Sequence, residues 1–196
     1  MEQLEALALE LDRFPELVAA VVELATGEPD AVLSRALYLK SAEIYATQLG
    51  DMEGAVRCYN RILENDPGDE QVLDSLEGLY RVRERWHELL SVLRRKAELV
   101  TDPGQKELLL VQMADVHREK LGEAQEAIAR YREILEIDPG SSRALAALDS
   151  LYELSSMWTE LADNVSRQLD LAEDPELQTA YMLSLIHISE PTRRRG

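Results

Sequence analysis

Shifted by 72 residues, the chain falls on itself. Asp66-Pro67-Gly68 lands on Asp138-Pro139-Gly140, and Leu73, Leu76, Leu79 and Tyr80 land on Leu145, Leu148, Leu151 and Tyr152. Trp86, Glu88 and Leu89 meet Trp158, Glu160 and Leu161, and Asp102-Pro103 meets Asp174-Pro175. From 37 to 103 there are 23 identities in 67 ungapped positions. Ordinary amino-acid usage would give roughly 4. The pattern also runs backwards, with Leu4, Leu7, Phe14 and Leu17 standing 72 residues before Leu76, Leu79, Trp86 and Leu89. A chain with such a period is built from stacked units, each packing on its neighbours.

The period is too long for one helical hairpin and divides into two of about 36 residues. Apolar positions recur at helical spacing: Val56, Tyr59, Ile62 and Leu63, then Leu73, Leu76, Leu79 and Tyr80, then Leu89, Val92, Leu93 and Leu99. No strand alternation is sustained. The first hairpin is expected from about Leu37 to Pro67, turning at Gly50-Asp51. Asn65-Asp66-Pro67-Gly68 ends its second helix, because proline cannot continue a helix and pushes its predecessor out of the helical region. The second hairpin is expected over about 70–101, turning near Arg85, with Asp102-Pro103-Gly104 closing it. The fold class is all-α. Scarce aromatics, 5% of the chain, suit thin helix pairs packed on Leu and Ala.

Residues 42–67 resemble a tetratricopeptide repeat. Ala42 matches the small position of the first helix, Tyr45 the aromatic after it, and Gly50-Asp51 the turn, with one residue inserted before it. Ala55, Tyr59 and Pro67 match the small, aromatic and terminating positions of the second helix. Residues 110–139 repeat the match with Ala114, Gly122, Ala127, Tyr131 and Pro139. A small residue at a helix crossing lets the axes approach to roughly 8–10 Å. The second hairpins diverge: Trp86 and Trp158 stand at the turn aromatic, and Leu89 and Leu161 replace the small alanine. The resemblance implies a right-handed superhelical solenoid of about five antiparallel hairpins over 1–182.

It also implies a non-catalytic scaffold that binds a peptide or protein on the concave face, where first helices line a groove. The groove-facing candidates are Glu43, Thr47, Arg81, Asp115, Arg118, Glu119 and Glu153. No lysine and asparagine cluster of the kind that clamps a C-terminal carboxylate is evident. The formal net charge of −17 repels phosphate backbones and favours a basic or amphipathic protein segment over nucleic acid. The alternative is a structural spacer or self-assembly segment of a larger multidomain protein.

Residues that would carry catalysis are sparse. No histidine pair stands at zinc-ligand spacing, and there is no phosphate-cradling glycine loop or nucleophile elbow. His117 occupies the slot of Tyr45 and reads as a packed residue; His87 reads as surface. Cys58, the single cysteine, lies where the next unit has Arg130, which predicts an exposed or half-exposed face. Trp86 and Trp158 read as structural residues at helix starts. No enzyme activity, metal or cofactor is expected.

Register and composition break together at Leu183. Residues 183–193 resemble the in-frame translation of a transposon-end sequencing adapter, so 183–196 is expected to be a non-native tail. The repeat also begins midway through a unit, so Met1 is read as a candidate internal methionine and the chain as a fragment of a longer protein. No apolar run approaches the roughly 20 residues of a membrane span. No signal peptide is seen, and a cytoplasmic location follows by default.

Overall fold

The computed structural model describes Ala6, Ala8, Glu10, Leu11 and residues 13–193, with the side chains of 189–193 left aside. Leu4, Leu7 and Met1, on which part of the repeat reading rests, lie outside the described residues, as do Arg194 and Arg195. Among the described residues there are ten helices and no strand. They are α1 (Phe14–Gly27), α2 (Ala31–Ile44), α3 (Met52–Asn65), α4 (Glu70–Val82), α5 (Trp86–Leu99), α6 (Pro103–Asp115), α7 (Ala124–Ile137), α8 (Ser142–Leu154), α9 (Trp158–Leu171) and α10 (Pro175–Arg193). The chain forms two compact units, 1–92 and 93–196, and the division falls inside α5. In the first, α1 packs on α2, α2 on α3, and α3 on α4. In the second, α6 packs on α7, α7 on α8, α8 on α9, and α9 on α10. This is the consecutive pairing of an all-α repeat solenoid.

The 72-residue period is visible in the backbone. α2 runs on as a π turn, Tyr45–Leu49, and α6 as another, Val116–Leu121. A π turn widens the helix to hold one extra residue. That is where the inserted residue before Gly50 goes. Gly50 and Gly122 then take φ of 63° and 69°, where a Cβ is disfavoured. The second hairpins turn without glycine, at Glu84 (φ 55°) and Ser156 (φ 56°).

The core follows the stripes. Ala42, Ala55, Ala114 and Ala127 are wholly buried, as the small crossing positions require. In the second unit Ile128, Tyr131, Ile134, Leu145, Leu148 and Leu151 form one cluster. α10 continues without a break through Leu183 to Arg193, and Leu185 and Ile188 join that cluster. The histidine readings hold: His117 is buried with Nδ1 2.8 Å from Glu123 Oε2, and His87 is exposed. Trp86 and Trp158 are the first residues of α5 and α9.

Cys58 corrects its expectation. It is buried on α3, beside a hollow lined by Tyr38, Tyr45 and Gly54, and burial pushes its thiol up to about 11. Its counterpart Arg130 escapes the same position by reaching Glu133 at 2.6 Å. A long flexible chain can leave a face that a short thiol cannot.

Gly54 shows how closely α2 and α3 approach. A Cβ there would lie 2.4 Å from a ring carbon of Tyr45 and 2.6 Å from Asp51 Oδ2. Alanine in a helix interior normally gains about 1 kcal/mol over glycine, and less in a first turn such as that of Gly54, the third residue of α3. Overpacking costs about 1–3 kcal/mol and wins here because the obstacle is the base of an aromatic ring. Gly54→Ala is expected to destabilise by about 1–2 kcal/mol in urea denaturation, and adding Tyr45→Ala should shrink the Gly54→Ala effect, with the Asp51 contact left in place. A stabilised Gly54→Ala protein would refute the close approach.

Candidate partner-binding surface

The candidate residues occupy first helices of hairpins and the π turns that follow. In the first unit, Glu43 and Thr47 come together. Thr47 Oγ1 donates to the Glu43 carbonyl at 2.8 Å, and Lys40 Nζ lies 2.9 Å from Glu43 Oε2. Both line a hollow of about 200 Å³ with Ala6, Phe14, Lys40 and Ile44. The floor is apolar, with Phe14 and Ile44 buried, and the rim carries the charge. Arg81, exposed on α4, is not part of this hollow; its Nη2 holds Glu77 at 2.9 Å.

In the second unit, Asp115, Arg118 and Glu119 form one network. Arg118 Nη2 donates to Asp115 Oδ1 at 3.1 Å and to Glu119 Oε1 at 2.8 Å. The buried Tyr131 hydroxyl donates to the same Asp115 oxygen at 2.9 Å, and Arg143 Nη2 stands 3.6 Å from the other. Burial, then the bond to Asp115, pushes the Tyr131 phenol up to about 12. Asp115 is therefore half-buried and already neutralised by two guanidiniums, while Glu119 is largely exposed. Glu153 is exposed on α8, apart from this network, and has no ion pair among the described residues.

Among the described residues no cluster of His, Cys, Asp or Glu is arranged to hold a metal ion. No described helix is long and apolar enough to cross a membrane.

Residues 36–69 and 109–141 match one family model described as Tetratricopeptide repeat, and 72–107 matches a second of the same description. The chain belongs to the tetratricopeptide-repeat family. Its tetratricopeptide matches end at 141, and the 72-residue identity carries the pattern onward into α8 and α9. Tetratricopeptide repeats generally serve as non-enzymatic scaffolds for protein–protein interaction. No curated protein matches this chain. Among solved structures it resembles MamA, at 18% identity over 83% of this chain and 91% of that one, TM-score 0.46. It also resembles a tetratricopeptide repeat protein from Parabacteroides merdae, at 17% identity over 95% and 71%, TM-score 0.44. A third is PilF of Pseudomonas aeruginosa, at 14% over 90% and 93%, TM-score 0.41.

Sequence reasoning missed one group of polar residues, a cleft of about 320 Å³ between α7, α8 and α9 in the second unit. Its carboxylates fall at ordinary helix-surface spacing. The signal that could have found it is the difference between copies: Asn164 stands 72 residues after Val92, and Met157 after Arg85.

Proposed function

We propose that residues 1–182 act as a scaffold holding a basic or amphipathic protein segment along the first helices of the hairpins, the concave face in this family. The observation that carries this reading is the hollow under Glu43 and Thr47, where an apolar floor of Phe14 and Ile44 sits beneath a charged rim. An amphipathic segment offers the matching pair, apolar side chains below and cations at the edge. In the second unit Glu119, at the position of Thr47, adds an exposed carboxylate on the equivalent π turn, and Glu153 adds one on α8.

Charge reversal tests it. Glu43→Lys with Glu119→Lys spares Asp115, whose bonds to Tyr131 and Arg118 serve the fold. Binding of a labelled leucine–lysine amphipathic helix, read by fluorescence anisotropy, is expected to weaken about tenfold, which is about 1.4 kcal/mol. Undiminished affinity with intact helicity would remove the groove assignment.

The spacer or self-assembly reading draws on α10, where Leu177, Met182, Leu183 and Ile186 are each at least half exposed. Part of that stripe lies within 183–196, which we propose to be a non-native extension. Sedimentation of residues 1–182 at several concentrations separates the readings: growing oligomers support assembly, and a constant monomer supports the ligand-binding module.

A further inference from the structure

The two copies of the repeat treat one aromatic platform differently. In the first copy Arg85 lies over the Tyr80 ring, 5.7 Å from its centroid, and Nε donates to Glu88 Oε1 at 2.7 Å. The same guanidinium pairs with Glu53. In the second copy Tyr152 and Glu160 keep their places, but Met157 replaces Arg85 and Gln125 replaces Glu53. Gln125 Nε2 now meets Met157 Sδ at 3.7 Å. Glu160 is left with no ion pair among the described residues.

A second observation points the same way. Asn164, buried where the first copy has the buried Val92, lines the cleft between α7, α8 and α9. Its Nδ2 donates to the Leu145 carbonyl at 2.9 Å and to Asp149 Oδ1 at 2.8 Å. These two bonds use both amide hydrogens and fix the orientation of the carboxamide. Its oxygen is left without a donor among the described residues, in a residue only 7% exposed. A buried acceptor in that state calls for a donor.

The surroundings set the charge of that donor. Glu136, Glu160 and Asp163 line the cleft, and none has an ion pair among the described residues. Arg132 is committed to Tyr152, its Nε 2.9 Å from the hydroxyl and its guanidinium 5.5 Å from the ring centroid. The lining holds three carboxylates against two guanidiniums, Arg132 and Arg167, and so stays net negative. We infer that this cleft receives an arginine side chain from a protein partner, held by the Asn164 oxygen and the Glu160 and Asp163 carboxylates. It takes the kind of group that Arg85 supplies internally in the first copy. A planar guanidinium brings several donors in a fixed fork, which suits one amide oxygen flanked by carboxylates.

The site is separate from the Glu43 hollow, so the two can fail independently. The test is an NMR titration of the ¹⁵N-labelled full chain with acetyl-Gly-Arg-Gly-amide, against the same peptide carrying neutral citrulline. Saturable shifts are expected at the Asn164 side-chain amide and at Glu160 and Asp163, with none from citrulline. Asn164→Val installs the residue of the first copy and is expected to weaken binding about tenfold, the loss of one charge-assisted hydrogen bond. Should Asn164→Val not fold, Glu160→Gln with Asp163→Asn on the surface carries the test, with at least the same loss expected. Glu43→Lys is expected to leave the titration unchanged. An equal response to citrulline overturns the inference. So do shifts scattered over the carboxylates without saturation, and so does wild-type affinity in a folded Asn164→Val or in the Glu160/Asp163 variant.

Discussion

Arg35→Glu is expected to destabilise the protein by about 3 kcal/mol, and Asp69→Ser beside it to recover most of that loss. Asp69 caps α4 by accepting from Val72 N at 3.2 Å, and its carboxylate is almost wholly buried. Arg35 reaches it from α2 with Nε at 2.5 Å and Nη2 at 3.0 Å. Removing one partner of a buried pair typically costs about 3–5 kcal/mol, and Arg35 is more than a third exposed, so screening keeps the cost at the lower end. The second copy shows the way back. Glu107 stands for Arg35, and Ser141 for Asp69. Ser141 Oγ donates to Glu107 Oε1 at 2.9 Å while Ser141 still caps α8. The double variant rebuilds that neutral-to-acid contact in the first copy. Urea denaturation checks it, and a double variant no more stable than Arg35→Glu alone would refute the equivalence.

The same pair has a pH signature. The Arg35 guanidinium, through its hydrogen bond, holds the Asp69 carboxyl below the ordinary range. A depressed carboxyl contributes stability that is fully present above the unfolded value of about 4 and is lost as pH falls through the lower folded value. Asp69→Asn should therefore cost most near neutrality, with the difference from wild type shrinking in acid below about pH 4.

The helix ends at Asn65 and Ile137 were legible because each precedes an Asp-Pro-Gly signal. The start of α2 was not. The unbroken repeat pattern runs from Leu37, but the helix begins at Ala31, where the Asp30 side chain accepts from Val32 N and Leu33 N. Asp30 stands 72 residues before Asp102, so the cap itself repeats, isolated from the next identity by six differing positions. Asp102-Pro103 was read as closing a hairpin, and the structure gives it a second task. Asp102 caps α6 and Pro103 is its first residue, where a missing N–H costs nothing. The inserted residue before Gly50 was visible in sequence, but its accommodation as a π turn needed coordinates. At the candidate surface, the residue types and their helices were legible. The tying-down of Asp115 was not, since it depends on a hydrogen bond from Tyr131, 16 residues away, and on an ion pair with Arg143 from α8.

Tyr131→Ala is expected to cost about 3–5 kcal/mol, the usual loss for a large buried aromatic, and Tyr131→Phe about 1 kcal/mol for its hydrogen bond. Tyr131 is 2% exposed and packs in the second unit's core. Its counterpart Tyr59 is only half-buried, so Tyr59→Ala should cost less than half as much. The alkaline limb separates packing from hydrogen bonding. The Tyr131 phenol is raised to about 12 by burial and then by Asp115, above the unfolded value of about 10. A raised phenol contributes stability that is fully present below about pH 10 and is lost as pH rises through the folded value. Tyr131→Phe should flatten that loss between pH 10 and 12. Urea denaturation across that range, for the three variants, is the measurement. Equal losses at Tyr59 and Tyr131 would mean that the first unit packs its aromatic as tightly as the second. The difference would then lie only in the hydroxyl, and Asp115 would owe its place to Arg118 and Arg143 rather than to the core beneath it.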